Sequence, residues 1–354
     1  MNRFAWESNI RNVVPYVAGE QPKSSGVLKL NTNESPYPPA PGVAVAAATL
    51  DGDKLKLYPD ASIGDLKQGL ATYYHLQKEQ VFVGVGSDDV LSTAFLTFFN
   101  SKKPLLFPDI TYAFYEVWAS LYQIPFETVP LTEQYTIDPS DYHRVNGGII
   151  FPNPNAPTGI ALRVDQVEEI VQANPDVIVI VDEAYIDFGA QSSLSLLPKY
   201  DNLLVVGTFS KSRSLAGLRI GFAFGSVALI AYMEAVKNSI NSYTVNMPSQ
   251  ILGIKAIEDE AYFRHVCDLV IKVREETRVR LEKMGFHVLD SQCNFLFVTH
   301  PNHDAKEMFL ALKEAGIYVR HWDKPRISQF LRITIGTAQE MDQLCAFLER
   351  MTMN

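Results

Sequence analysis

The sequence contains little of what membrane, secreted and metal-binding proteins need. Its 354 residues include only three cysteines, Cys267, Cys293 and Cys345, which lie far apart and form no CxxC pair. This spacing argues against a disulfide framework and a zinc site, and it favours a reducing compartment. No run reaches the roughly 18 apolar residues of a membrane helix, and the N-terminal segment lacks the apolar stretch of a signal peptide. We therefore expect a cytoplasmic protein that does not bind a membrane.

Basic residues are too few for a nucleic-acid surface. The formal net charge is −9, and no cluster of lysine and arginine opposes it. The seven histidines show no metal-ligand spacing, so no metal site is expected. By contrast, 47% apolar and 20% charged residues are typical of a soluble globular protein, and the length suffices for two domains.

A lysine that follows an apolar run is the most informative residue of the chain. The run Leu203–Val206 predicts a buried strand, and Lys211 comes shortly after it. Desolvation at such a place disfavours the charged amine and lowers its pKa. A neutral lysine amine can form a Schiff base with an aldehyde. The alternative is a surface lysine in a loop, and spacing alone does not decide between the two.

A second apolar run ends in an acid. The β-branched residues from Val177 to Val181 predict a strand buried on both faces, and it leads to Asp182 and then Tyr185. A buried carboxylate needs a cationic or protonated partner. Because ligands of an open α/β sheet bind outside the carboxyl ends of its strands, we expect Asp182 and Lys211 to face one site.

The segment from Val81 to Phe99 predicts a strand, a glycine turn and a helix that Ser87 or Asp88 caps. The N–H groups at such a helix start bind phosphate well. Gly84-x-Gly86 also resembles half of a dinucleotide fingerprint, with Asp109 after a later strand. However, Asp89 replaces the third glycine and would bring its charge near a pyrophosphate, so an NAD oxidoreductase is the weaker hypothesis.

These segments, together with KLNTNESPYPPAP and NPNAPTG, resemble those of the fold-type I pyridoxal-phosphate-dependent aminotransferases, and most closely the histidinol-phosphate aminotransferase family. The resemblance extends from about Tyr16 to Gly336. It implies an α/β fold like that of aspartate aminotransferase. A large domain with a mostly parallel seven-stranded sheet is flanked by helices and joined to a smaller α+β C-terminal domain. We place an N-terminal arm at 1–30, the large cofactor-binding domain at 31–255 and the small domain at 256–354.

The resemblance also implies roles for single residues. Lys211 binds pyridoxal 5'-phosphate covalently and moves protons, and Asp182 keeps the ring nitrogen protonated. Asn155 is assigned to the phenolic oxygen, beside Tyr185, although the usual position directly before Pro-Thr-Gly is Ala156. The implied cofactor-binding residues are Gly86, Ser87, Asp88, Tyr112, Asn155, Asp182, Tyr185, Ser210, Arg219 and, across a homodimer interface, Tyr58. For the aromatic that stacks on the ring, Phe114 and Tyr115 are alternatives to Tyr112.

The substrate side follows from the same resemblance. Arg332 matches the arginine that binds the carboxylate of an amino acid, although a fixed salt bridge is the alternative for an inward arginine. Arg320 is assigned to a second anionic group, with Tyr16 and Asn33 at the same end. The implied reaction is transamination of L-histidinol phosphate with 2-oxoglutarate in histidine biosynthesis. An aromatic amino acid aminotransferase and a threonine-phosphate decarboxylase share these motifs and remain alternatives.

Overall fold

A computed structural model describes residues 4–11, 13–23 and 26–352 of the chain. The strands of this part are β1 (Leu28–Lys29), β2 (Val81–Val85), β3 (Leu105–Pro108), β4 (Phe126–Val129), β5 (Gly148–Pro152), β6 (Val179–Asp182), β7 (Leu203–Thr208), β8 (Ile220–Phe224), β9 (His287–Val288), β10 (Phe295–Thr299), β11 (Ile317–Tyr318), β12 (Arg320–His321) and β13 (Leu331–Thr334). The α-helices are α1 (Pro41–Ala48), α2 (Gly64–Tyr74), α3 (Gly86–Phe98), α4 (Phe114–Tyr122), α5 (Val164–Ala173), α6 (Val227–Ile240), α7 (Met247–Glu258), α8 (Glu260–Lys283), α9 (Ala305–Glu314) and α10 (Ala338–Thr352).

Seven strands form the central sheet, in the order β2-β8-β7-β6-β5-β3-β4. The pairs from β7 through to β4 are parallel, and β8 is antiparallel to both of its neighbours. Every residue of β6 and β7 is buried, because these apolar strands have side chains packed against both faces. The predicted mostly parallel seven-stranded sheet is confirmed.

Helix α3 follows β2 directly and packs its apolar face, with Val90, Leu91, Ala94 and Phe95, into the core. The predicted cap is wrong. The helix begins at Gly86, and no side chain caps it. The carboxylate of Asp89, inside the first turn, instead accepts a hydrogen bond from the N–H of Val85 at 2.8 Å.

The C-terminal part has its own antiparallel sheet, in the order β12-β13-β10-β9, with α8, α9 and α10 beside it. Its core is separate from those of the large sheet and includes Val270, Leu296, Ile333 and Leu344. Helix α8 ends at Lys283, before Gly285, as the sequence predicts. The predicted smaller α+β part is confirmed.

The segment before α1 joins the two parts of the molecule. Strand β1 pairs in parallel with β11, and the N–H of Thr334 donates to the carbonyl of Leu30 at 3.0 Å. These bonds place residues 31–34 at the ends of the central strands. The domain boundaries given above remain a prediction. Among the described residues, no helix is both long and apolar enough to cross a membrane.

Candidate active site

A cavity of about 650 Å³ lies where β6 and β7 end, between the start of α3, residues 31–34 and the β12–β13 connection. It is where an α/β sheet binds ligands. Most of the predicted site residues line it: Tyr16, Asn33, Ser87, Asp88, Tyr112, Asp182, Tyr185, Ser210, Lys211, Arg219, Arg320 and Arg332. The sheet thus brings together side chains from most of the length of the chain.

Lys211 lies in the cavity wall just after β7. Its Nζ donates to the carbonyl of Thr32 at 3.2 Å and lies 5.8 Å from the ring centre of Tyr185. Burial and the nearby Arg332 lower the pKa of Lys211 to about 8, although Glu34 acts in the opposite direction. Such an amine is neutral often enough near physiological pH to act as a nucleophile.

Asp182 ends β6 and is 5% exposed. The hydroxyl of Tyr115 donates to its Oδ2 at 2.9 Å, and the N–H of Ala184 donates to Oδ1 at 3.2 Å. Burial raises the pKa of Asp182 to about 6 in spite of these two bonds. Among the described residues the carboxylate forms no ion pair, and a protonated ring nitrogen in the cavity fits the need of a buried acid for such a partner.

The start of α3 fits a phosphate group. The N–H groups of the first turn, at Gly86, Ser87 and Asp88, have no partner within the helix, and no side chain caps them. The guanidinium of Arg219 lies beside them, with Nη2 3.1 Å from Oδ2 of Asp88. Free backbone donors, a helix N-terminus and an arginine together make an anion site. Ser210, bonded through its Oγ to Thr208 at 3.0 Å, completes this end of the cavity.

Gly86 serves this site without lining the cavity. Its φ is +81°, and a Cβ built on it would lie 2.4 Å from Nη2 of Arg219. Only glycine leaves room for the guanidinium in its present place.

Arg332 projects from β13 into the cavity wall. Its Nη2 donates to the carbonyl of Asn31 at 3.0 Å, but its buried Nε has no hydrogen-bond partner in the described part of the chain. The rings of Phe295 and Trp322 lie 5.3 and 5.2 Å from its Cζ, and burial lowers its pKa. No described carboxylate pairs with it, so the fixed salt bridge is not found. A substrate anion would supply the missing partner.

The outer end of the cavity is cationic and aromatic. Nη2 of Arg320 donates to the carbonyl of Val17 at 3.3 Å, and its Cζ lies 5.4 Å from the ring of Trp322. Tyr16 stacks on Phe114 with ring centres 4.3 Å apart. This end can hold a second anionic group beside a planar ring.

Two assigned residues lie away from the cavity. Asn155 braces the turn after β5, because its amide donates to the carbonyl of Ile110 at 3.0 Å and to Thr158 at 3.1 Å. Ala156 lines the cavity there, and the assignment of Asn155 to the cofactor stays a prediction. Tyr58 is 82% exposed and stacks on Tyr243 at 4.7 Å.

Sequence reasoning missed several contacts. Tyr115 was considered only for ring stacking, yet it is fully buried and bonds Asp182. The Thr32 carbonyl and the carboxylate of Glu34 also face Lys211, and nothing local in the sequence pairs them with it. The Tyr115 contact alone has a signal in the sequence. Tyr115 lies in a dense aromatic run before Trp118, and the hydroxyl of a buried tyrosine needs a hydrogen-bond partner.

The comparisons with known proteins agree on one family. The family model for aminotransferase class I and II matches residues 25–348. Histidinol-phosphate aminotransferase of Lactococcus lactis subsp. cremoris (strain MG1363) is 51% identical over 99% of this chain and 99% of that protein. Histidinol-phosphate aminotransferase 1 of Hydrogenovibrio crunogenus is 53% identical over 97% of this chain and 96% of that protein.

Solved structures show the same fold. Histidinol-phosphate aminotransferase from Sinorhizobium meliloti, in complex with pyridoxal-5'-phosphate, superposes with a TM-score of 0.84. It is 23% identical to this chain, and the match covers 92% of this chain and 91% of that one.

Proposed function

The chain belongs to the histidinol-phosphate aminotransferase family, and on that premise we propose that it transfers the amino group of L-histidinol phosphate to 2-oxoglutarate. Its cofactor is pyridoxal 5'-phosphate. One observation carries this function. A lysine with a pKa of about 8 shares a cavity with a buried acid and a buried arginine, neither of which forms an ion pair with any described residue.

When bound, pyridoxal phosphate supplies an aldehyde that bonds to amines and a ring that accepts electrons from the substrate Cα. The protein residues present fit this group at both of its polar ends. The uncapped start of α3, Ser210 and Arg219 would hold the phosphate, and Asp182 would hold a protonated ring nitrogen.

Lys211 would hold the cofactor through its amine and would move a proton at the Cα of the substrate. Asp182 would stay ionised beside a cationic nitrogen, and Tyr115 holds its carboxylate in place. Tyr185 would donate a hydrogen bond to the phenolic oxygen. Tyr112, whose hydroxyl donates to Asp88 at 2.7 Å, would cover the ring.

Both substrates of the proposed reaction carry anionic groups. Arg332 binds one of them, since its buried Nε has no hydrogen-bond partner among the residues that the structure describes. Arg320 and Tyr16 contact the remainder at the outer end of the cavity. A shared anion site lets one cavity accept histidinol phosphate and glutamate in turn, because Arg binds phosphate and carboxylate with the same planar donors.

The test is a half-reaction followed by absorption spectroscopy. The purified protein is saturated with pyridoxal phosphate and then given L-histidinol phosphate without a keto acid. We expect the band of the lysine-bound cofactor to convert to that of pyridoxamine phosphate, and 2-oxoglutarate to restore it with release of glutamate. The Lys211→Ala variant should show neither change.

Matched donors separate the alternatives. A band that responds to phenylalanine but not to histidinol phosphate would indicate an aromatic amino acid aminotransferase. Release of carbon dioxide from threonine phosphate would indicate a decarboxylase. Absence of any band after addition of pyridoxal phosphate would contradict the cofactor itself.

We further propose a homodimer in the cytoplasm, in which Tyr58 of one copy reaches the phosphate site of the other. Tyr58, Leu55 and Leu57 are 82%, 67% and 64% exposed, and such a group of apolar side chains favours an interface. Mixing the Lys211→Ala and Tyr58→Ala variants should restore activity, because each mixed dimer would contain one intact site. No recovery after exchange of subunits would contradict a shared site.

A further inference from the structure

Asn33 has all of its polar atoms engaged within the protein. Its N–H donates to Oγ1 of Thr334 at 3.0 Å, and that hydroxyl donates back to Oδ1 of Asn33 at 3.0 Å. The amide of Asn294 donates to its carbonyl at 3.0 Å. The remaining group, Nδ2, donates to the hydroxyl oxygen of Tyr185 at 2.9 Å. Asn33 lines the cavity, and each of its polar atoms has at least one partner within the protein.

The bond from Asn33 sets the direction of the Tyr185 hydroxyl. Because this oxygen accepts from an amide, its own hydrogen must point elsewhere, and no acceptor receives it within the described residues. Tyr185 lines the cavity, and burial raises its pKa to about 12, so the hydroxyl keeps its proton. The hydrogen is thus available to a group in the cavity.

No second donor comes from the place where the family motif predicts one. The amide of Asn155 is used inside its turn, and Ala156, which has no donor, forms the cavity wall. Of the two residues assigned to the phenolic oxygen, Tyr185 is the one whose donor is not already used among the described residues. The orientation of one hydroxyl then matters more than it would with two donors.

We propose that Asn33 is a positioning residue whose amide turns the Tyr185 hydroxyl proton toward the phenolic oxygen of the cofactor. The inference rests on the proposed cofactor. Thr334 assists, because its hydroxyl engages Oδ1 of Asn33 and leaves Nδ2 to face Tyr185. Donation from Tyr185 stabilises negative charge on the phenolic oxygen, so the neighbouring nitrogen of Lys211 holds its proton less tightly.

The test is the pH titration of the absorption band of the bound cofactor in the variant Asn33→Asp. This change keeps the shape of the side chain and tolerates the φ of 55° at this position. It replaces the amide donor with an acceptor, so the Tyr185 hydroxyl turns away from the cavity. We expect the titration midpoint to rise by about 1 pH unit, toward the rise of about 1 to 2 units expected for Tyr185→Phe.

A double variant separates positioning from a general effect. Combined with Tyr185→Phe, the Asn33→Asp change should add little to the midpoint, since there is no longer a hydroxyl to orient. Thr334→Val tests the same orientation independently. It should raise the titration midpoint by less than Asn33→Asp does, and this rise should also disappear in the Tyr185→Phe background. As a control, Asn174→Asp alters a buried side-chain amide that bonds Asn146, Tyr142 and Ile170, all outside the cavity, and should leave the midpoint unchanged.

Three results would overturn the proposal. The first is an unchanged midpoint in both Asn33→Asp and Thr334→Val, with a normal cofactor band, which would leave the proposed function intact. The second is a shift that adds in full to that of Tyr185→Phe. The third is the lack of any cofactor band in the unsubstituted protein, which would remove the proposed function as well.

Discussion

Replacing Gly86 by alanine tests the phosphate site through the residue that makes room for it. The φ of +81° is a conformation that residues with a Cβ rarely adopt, and the new methyl group would meet Nη2 of Arg219 at 2.4 Å. The guanidinium is the mobile end of a long side chain, so we expect it to move rather than the backbone. Arg219 would then leave the position from which it faces the start of α3.

The two consequences have different sizes and different readouts. Left-handed backbone at a residue with a Cβ costs roughly 1–2 kcal/mol, which would appear as a lower free energy of unfolding. Loss of a charge-assisted bond to phosphate costs about 1.5–3 kcal/mol, which corresponds to a Kd for pyridoxal phosphate raised about 10- to 150-fold. The loss of affinity should therefore exceed what the loss of stability explains.

The assay is the Kd of pyridoxal phosphate from titration of its absorption band, with urea unfolding of the protein without cofactor beside it. Gly217→Ala is the matched control, because Gly217 lies in the short 3₁₀ helix Ala216–Leu218 directly before Arg219 and a Cβ there meets nothing within 4 Å. It should leave both quantities unchanged. A Kd for Gly86→Ala equal to that of Gly217→Ala would refute the reasoning, as would a full additional loss in an Arg219→Ala background.

Three further outcomes follow from the site. Only the neutral amine of Lys211 attacks the aldehyde, so the rate of pyridoxal phosphate binding should rise about tenfold per pH unit and level off above the Lys211 pKa of about 8. A rate that still rises up to pH 10 in stopped-flow traces would contradict the buried site. Burial raises the folded-state pKa of Asp182 from 3.8 to about 6, so its stabilising contribution is present below 3.8 and lost as the pH rises through 6. Without cofactor, Asp182→Asn should thus have a higher free energy of unfolding in urea than the unsubstituted protein at pH 8, by at most about 3 kcal/mol, and the difference should be smaller at pH 5. The same difference at both pH values would refute this. Arg332→Gln should lower kcat/KM for glutamate about 10- to 150-fold with unchanged cofactor affinity. As a control, Arg163→Gln at an exposed arginine should change neither quantity. An unaffected kcat/KM in Arg332→Gln would remove Arg332 from the substrate site.

Local pattern accounts for the parts of the site that were predicted. Lys211 and Asp182 follow apolar runs that only buried strands explain, and parallel strands bring their ends to one edge. The cap of α3 was predicted wrongly because several acceptors occupy neighbouring positions, and which of them bonds depends on the turn geometry. The direction of the Asn155 amide could not be predicted for a related reason, since it depends on the geometry of the turn in which that amide bonds.

The ends of the central strands and the glycine turn could be predicted from local pattern, because apolar runs and chain breakers act over a few residues, and the two-part fold from the family resemblance. Which side chains meet depends on the tertiary fold. Asn33 bonds Tyr185 across 152 positions and Thr334 across 301, and Arg332 reaches the carbonyl of Asn31. These contacts exist because the segment before α1 docks onto the small sheet and the central strand ends together. Such docking depends on the summed packing of distant surfaces, which no local pattern encodes.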